Sequence, residues 1–112
     1  MDQLYVVLTT APDEACARDL AKTLVAERLA ACVNVLPAVA SYYIWEGAEE
    51  EGSEVLMVAK IRGGDFDAYA ERLDMLHPYD VPEIVALPAE RVSEAYHGWC
   101  VAQTERVTGP GS

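Results

Sequence analysis

An α+β fold is what this sequence predicts, and three observations carry it. Apolar, β-branched runs alternate with segments whose apolar residues recur at helical spacing, in the order β-α-β-β-α-β-α. A polar, glycine-containing segment separates the two middle strands, as in a hairpin. The chain has 112 residues, 52% of them hydrophobic and 24% charged, which suits one packed domain. Two βαβ-like halves around a central hairpin describe a ferredoxin-like βαββαβ sandwich, an antiparallel sheet with two helices on one face, here with an extra C-terminal helix. Residues 1–107 are expected to form that single domain, and 108–112 a disordered tail.

Each element has its own signal. Residues 4–8 (LYVVL) read as a buried strand. Thr10, three residues before Asp13, resembles a capping box, Pro12 suits a first helical turn, and Asp13 and Glu14 complement the positive helix N-terminus. Ala17, Leu20, Ala21, Leu24, Val25 and Leu29 then form one helical stripe, expected to end near Ala31. Residues 32–45 are a long strand in which Pro37, unable to donate to a ladder, marks an edge or a bulge. Residues 46–52 read as the turn and 53–62 as the returning strand. Such a hairpin exceeds the usual strand of about five or six residues. It leaves edges exposed that another subunit would cover. Gly63 and Gly64 break the strand, and Asp65 is a candidate N-cap. Phe66, Tyr69, Ala70, Leu73 and Leu76 follow at helical spacing until Pro78 stops the helix. Residues 82–88 are a short strand bracketed by prolines, and a last helix starts at Ser93 and Glu94.

Composition excludes several functions. Eight basic residues against nineteen acidic ones give a net charge of −11. Phosphate recognition needs clustered Lys and Arg, so a nucleic-acid partner is not expected, nor an anionic membrane surface. No apolar run approaches the roughly 20 residues of a membrane span. Residues 1–4 lack the basic and apolar regions of a secretory signal. Three cysteines without pair-like spacing read as reduced thiols, and a cytoplasmic location is expected. Cys32 and Cys100 suit buried small hydrophobes, while Cys16 near a helix start is a candidate low-pKa thiol.

Two constellations could carry chemistry. Residues 77–83 place His77, Tyr79, Asp80 and Glu83 around Pro78 and Pro82, which hold side chains in place without regular structure. Imidazole and carboxylates together suit a divalent metal. The competing reading is a rigid connector whose His77 caps the helix C-terminus. The second constellation is Trp45, Glu46, Glu54 and Lys60. Strand parity puts Lys60 on the same face as Glu54, where it could bind a ligand carboxylate, form an ion pair, or extend to solvent. Phosphate-cradling loops and nucleophile elbows are absent from the sequence, and no enzymatic activity is expected.

Three blocks of this sequence resemble the CutA divalent-cation tolerance family. They are residues 7–14 (VLTTAPDE) continued by 24–34 (LVAERLAACVN), residues 43–47 (YIWEG) with Glu54 and Lys60, and residues 77–88 (HPYDVPEIVALP). The resemblance implies a tight homotrimer, similar in architecture to PII signalling proteins, with clefts between subunits. It implies that Trp45, Glu54, Lys60, Tyr79 and Asp80 lie at a ligand cleft. It also implies His77 and Glu83 as metal ligands, Cu(II) or another divalent cation being the ion and no cofactor being obligatory. Thr9 and Leu76 stand where some members carry a cysteine and a second histidine as copper ligands. The alternative function is a PII-like signalling module that binds a small anionic metabolite in the cleft through Lys60.

Overall fold

The computed structural model describes residues 2–106. The expected tail at 108–112 and the domain's last residue, 107, lie outside the described residues. The elements are β1 (Leu4–Ala11), α1 (Glu14–Ala26), β2 (Cys32–Trp45), β3 (Ala48–Arg62), α2 (Phe66–Leu76), β4 (Val85–Pro88) and α3 (Glu94–Gln103), with a 3-10 turn (Gly63–Asp65) before α2. The strands form one antiparallel sheet in the order β2-β3-β1-β4. This is the ferredoxin-like sandwich with an added C-terminal helix.

The sheet register sorts side chains between two faces. Val7 pairs with Ala59 and with Ala86, so the odd-numbered residues of β1 and β3 share a face. On that face Val7, Ala11, Val55, Met57, Ala59 and Ile61 are buried against Ala17, Leu20 and Leu24 of α1 and Tyr69 and Leu73 of α2. Burying one such aliphatic side chain contributes roughly 1.5–3 kcal/mol. The opposite face carries Val6 and Leu8 of β1, Leu56 and Val58 of β3, Leu36 of β2, and Val85 and Leu87 of β4. The last two are 47% and 50% exposed. Among the described residues, one end of this apolar face is covered, where Cys100 of α3 packs on Leu4 and Ala31.

Several local expectations are corrected. Helix α1 stops at Ala26, five residues before the expected end. Arg28 takes the left-handed conformation (φ 60°), the Leu29 amide donates to the Leu24 carbonyl, and the Arg28 amide donates to the Val25 carbonyl. That is a Schellman stop built without glycine. Thr10 is not a cap but remains in β1. The cap is Asp13, whose carboxylate accepts from the Cys16 amide at 2.8 Å, so Pro12 precedes the helix. The hairpin turn is only Glu46 and Gly47, both with positive φ, and β3 starts at Ala48 rather than 53. Pro37 does sit at an irregularity: the β2–β3 register shifts between Leu36 and Val39, with Ala38 at φ 63°. Strand β4 begins at Val85 rather than 82.

Asp65 makes no capping bond to α2. Its carboxylate instead pairs with Arg106 at 2.8 Å and lies 3.7 Å from Arg62. Arg106 also donates to the Arg28 carbonyl, Arg28 to the Gln103 carbonyl, and Arg62 to the Thr104 carbonyl. Three arginines thus stitch the end of α3 to the end of α1 and to the 3-10 turn.

Candidate functional site

At the base of the hairpin lies a cavity of about 520 Å³. Strand β2 contributes Tyr42, Tyr43 and Trp45, and strand β3 contributes Glu54. The connection from α2 to β4 runs round the end of the sheet and adds Tyr79, Asp80 and Glu83. Among the described residues, no Lys or Arg lines it.

Glu54 is the best-anchored acid in the cavity. The Tyr79 hydroxyl donates to its Oε2 at 2.7 Å. Burial pushes the Glu54 carboxyl up, but hydrogen bonding from Ser41, Tyr79 and Thr10 outweighs it and holds the group below the usual carboxylate range. Tyr79 is the converse case. Burial, and then its bond to Glu54, push the phenol well above its ordinary value, so it stays a donor.

His77 does not line the cavity. It is buried, 7% exposed, and ends α2. Its Nδ1 accepts from the Tyr79 amide at 3.1 Å, which places the ring proton on Nε2. Nε2 then donates to the Thr10 carbonyl at 2.8 Å. Its ring packs against the Tyr79 ring with centroids 4.7 Å apart. Both ring nitrogens are therefore committed to backbone, and the imidazole braces the 77–83 connection against β1. Metal ligation by His77 requires one of these bonds to open.

Lys60 lies apart from these residues within one chain. Strand parity does put it on the face of Glu54, but six residues along a strand is roughly 20 Å. The Lys60 ammonium instead donates to the Asn34 side chain, beside Cys32. Within one chain Lys60 is no part of the cavity. The Cys16 expectation is corrected. Burial raises its thiol, and Asp13 and Asp19 raise it further, so it is not an activated thiolate. Cys32 is half-buried, whereas Cys100 is fully buried as expected, and all three cysteines are free.

Trp45, Glu54, Tyr79, Asp80 and Glu83 are thus brought together, while His77 stands behind them and Lys60 apart. Thr10, Ser41, Tyr42 and Tyr43 were absent from the sequence-derived set. The adjacent Tyr42 and Tyr43 of β2 were the available signal. Thr9 is fully buried on the core face, and its hydroxyl has no hydrogen-bond partner. Among the described residues no three His, Cys, Asp or Glu side chains are grouped closely enough to hold a metal ion by themselves. The lining supplies carboxylate and hydroxyl oxygens, which suit harder divalent ions than an imidazole–thiolate set would.

Known proteins fit this geometry. The model of the CutA1 divalent ion tolerance protein family matches residues 5–103. The divalent-cation tolerance protein CutA of Thermus thermophilus is 49% identical over 94 residues, covering 84% of this chain and 91% of that protein. A solved structure from the same organism superposes with a TM-score of 0.88 at 46% identity, covering 91% of this chain and 99% of that one. Mouse protein CutA is 42% identical over 103 residues, which is 92% of this chain but only 58% of the mouse protein. A solved structure from Archaeoglobus fulgidus, described as a periplasmic divalent cation tolerance protein CutA, superposes at 0.88 with 33% identity, covering 91% of this chain and 99% of that one. A family match over most of the chain, a relative at nearly half identity and a shared fold lead to one conclusion: this chain belongs to the CutA1 divalent ion tolerance family.

Proposed function

We propose that this chain acts in divalent-cation tolerance as a homotrimer that binds divalent ions, copper among them, at the hairpin-base cavity. The observation that carries the ion-binding reading is that Glu54, Asp80 and Glu83 line one cavity with no cationic side chain beside them among the described residues, so that a bound ion would have to draw them closer or complete its shell with water. Glu83 is the proposed oxygen ligand, and Glu54 lines the same cavity. His77 joins them only by opening its bond to the Tyr79 amide or to the Thr10 carbonyl. The homotrimer is supported by the uncovered apolar sheet face. Leu36, Val85 and Leu87 lie more than 40% exposed on it, and a second copy is the natural cover for such a face. The three free cysteines support a reducing compartment, the cytoplasm.

The test is a Cu(II) titration by calorimetry into chelator-stripped protein at about 0.15 M salt, where diffuse attraction to the acidic surface is damped. A saturable site weakened at least about tenfold by Glu83→Gln is expected, since the charge of one ligand is removed without altering its shape. His77→Ala, run alongside, decides whether the imidazole enters the coordination sphere. Unsaturated heat, unchanged by either substitution, would exclude a defined site. Light scattering on the same samples should give three times the chain mass, and Leu8→Asp on the apolar face should reduce it to the monomer's.

The anionic-metabolite reading is weaker. Within one chain the cavity has no anchor for an anion, and Lys60 would have to arrive from a neighbouring copy.

A further inference from the structure

We propose that the hairpin-base cavity also binds an organic ammonium ion, a quaternary or primary amine. The inference goes beyond the divalent-ion reading, because a bare metal ion has no use for aromatic walls. Its volume, about 520 Å³, lies inside the range of about 300–1,000 Å³ usual for small-molecule sites. Tyr43, Trp45 and Tyr79 line it, the first two on the strand face that carries Glu54. The electron-rich faces of such rings attract a cation that carries its own apolar shell. Glu54 provides a fixed negative charge at the inner wall, held by the Tyr79 hydroxyl at 2.7 Å. Asp80 and Glu83 add charge to the lining. Within one chain no described Lys or Arg lines it, so an anionic ligand would find its counter-charge only if a neighbouring copy supplied one. Rings plus unneutralised carboxylates are the two things an alkylammonium ion needs, and hydration makes small metal ions poor partners for the rings.

Choline chloride, titrated by calorimetry into the full chain at about 0.15 M salt, is the probe. Its neutral isostere 3,3-dimethylbutan-1-ol is titrated beside it. One saturable site per chain is expected, with choline binding about tenfold more tightly than the isostere. Glu54→Gln and Trp45→Leu should each weaken choline binding by about tenfold, while Trp45→Phe, which keeps a ring, should restore most of it. Trp45 is 45% exposed, so these variants do not threaten the core. Equal binding of choline and the isostere overturns the inference, as does the absence of saturation. Succinate that binds in a Lys60-dependent manner, with choline inert, overturns it as well. Light scattering and Cu(II) titration on the same samples keep the two readings apart. A trimer that takes up Cu(II) but ignores choline sinks only the ammonium site. A monomer that binds choline sinks only the trimer.

Discussion

His77→Ala is expected to destabilise the metal-free protein, because the imidazole is a structural brace. The substitution removes two hydrogen bonds to backbone, Nε2 to the Thr10 carbonyl at 2.8 Å and the Tyr79 amide to Nδ1 at 3.1 Å. A typical intramolecular hydrogen bond contributes about 0.5–1.5 kcal/mol, so the pair is worth about 1–3 kcal/mol. The ring is also 7% exposed and packs on Tyr79, so its removal adds lost contact in the same direction. The assay is urea unfolding in excess chelator at one fixed chain concentration, because self-association makes stability concentration-dependent. Tyr79 should loosen with it, so amide exchange across 77–83 should speed up in His77→Ala while α1 stays protected. A stability change below about 0.5 kcal/mol would refute the brace. So would a loss that appears only when copper is present, since a ligand's contribution vanishes with its metal.

Three further outcomes follow from the packing. Tyr69 is fully buried and its hydroxyl has no partner, so burial pushes the phenol far above its ordinary value; Tyr69→Phe should hold or raise stability by up to about 1 kcal/mol in the same unfolding assay, and a loss would mean that the hydroxyl is satisfied. Gly63→Ala should cost about 1–3 kcal/mol, read as a lowered Tm, because a Cβ there would fall 2.8 Å from the Tyr5 ring and 3.0 Å from the Gln3 carbonyl. Glu54 is more acidic in the folded chain than in the unfolded one, so its contribution is complete above the ordinary value of 4.5 and is lost as pH falls through the lower folded value. Glu54→Gln should therefore flatten that part of the acid-unfolding profile, and an unchanged profile would mean that the carboxylate is not held.

Much of the architecture was legible because each element carried a local signal. The strand of 32–45, the irregularity at Pro37 and the helix from Phe66 to Leu76 all announce themselves within a few residues. The stop of α1 was hidden because Arg28, not glycine, occupies the left-handed position. The start of β3 was hidden for another reason. Glu49, Glu50 and Glu51 pair with Ile44, Tyr43 and Tyr42 beyond the helix-covered core, so both faces are exposed and alternation vanishes. In the site, parity gave Lys60 its face but not its distance from Glu54. The Tyr79–Glu54 contact spans 25 residues and depends on how the 77–83 connection turns round the sheet, which no local pattern encodes. The uncovered face did leave a trace: LYVVL is apolar at consecutive positions, where a sheet solvated on one side would alternate.

The arginine stitching at the end of α3 has an electrostatic consequence. Of the chain's eight cationic side chains, Arg62 and Arg106 share Asp65, Arg72 is tied to Glu27, and Arg28 points its guanidinium at a carbonyl. Cations already paired at the seams between elements do little to soften the field elsewhere, and the chain as a whole carries a net charge of −11. Copies brought together along one sheet face would then repel one another at long range while adhering at contact. Their association should strengthen with ionic strength, most steeply below about 0.1 M, where the Debye length exceeds about 10 Å. Divalent counter-ions should promote it at lower concentrations than monovalent ones, through their atmosphere alone and before any of them reaches a defined ligand.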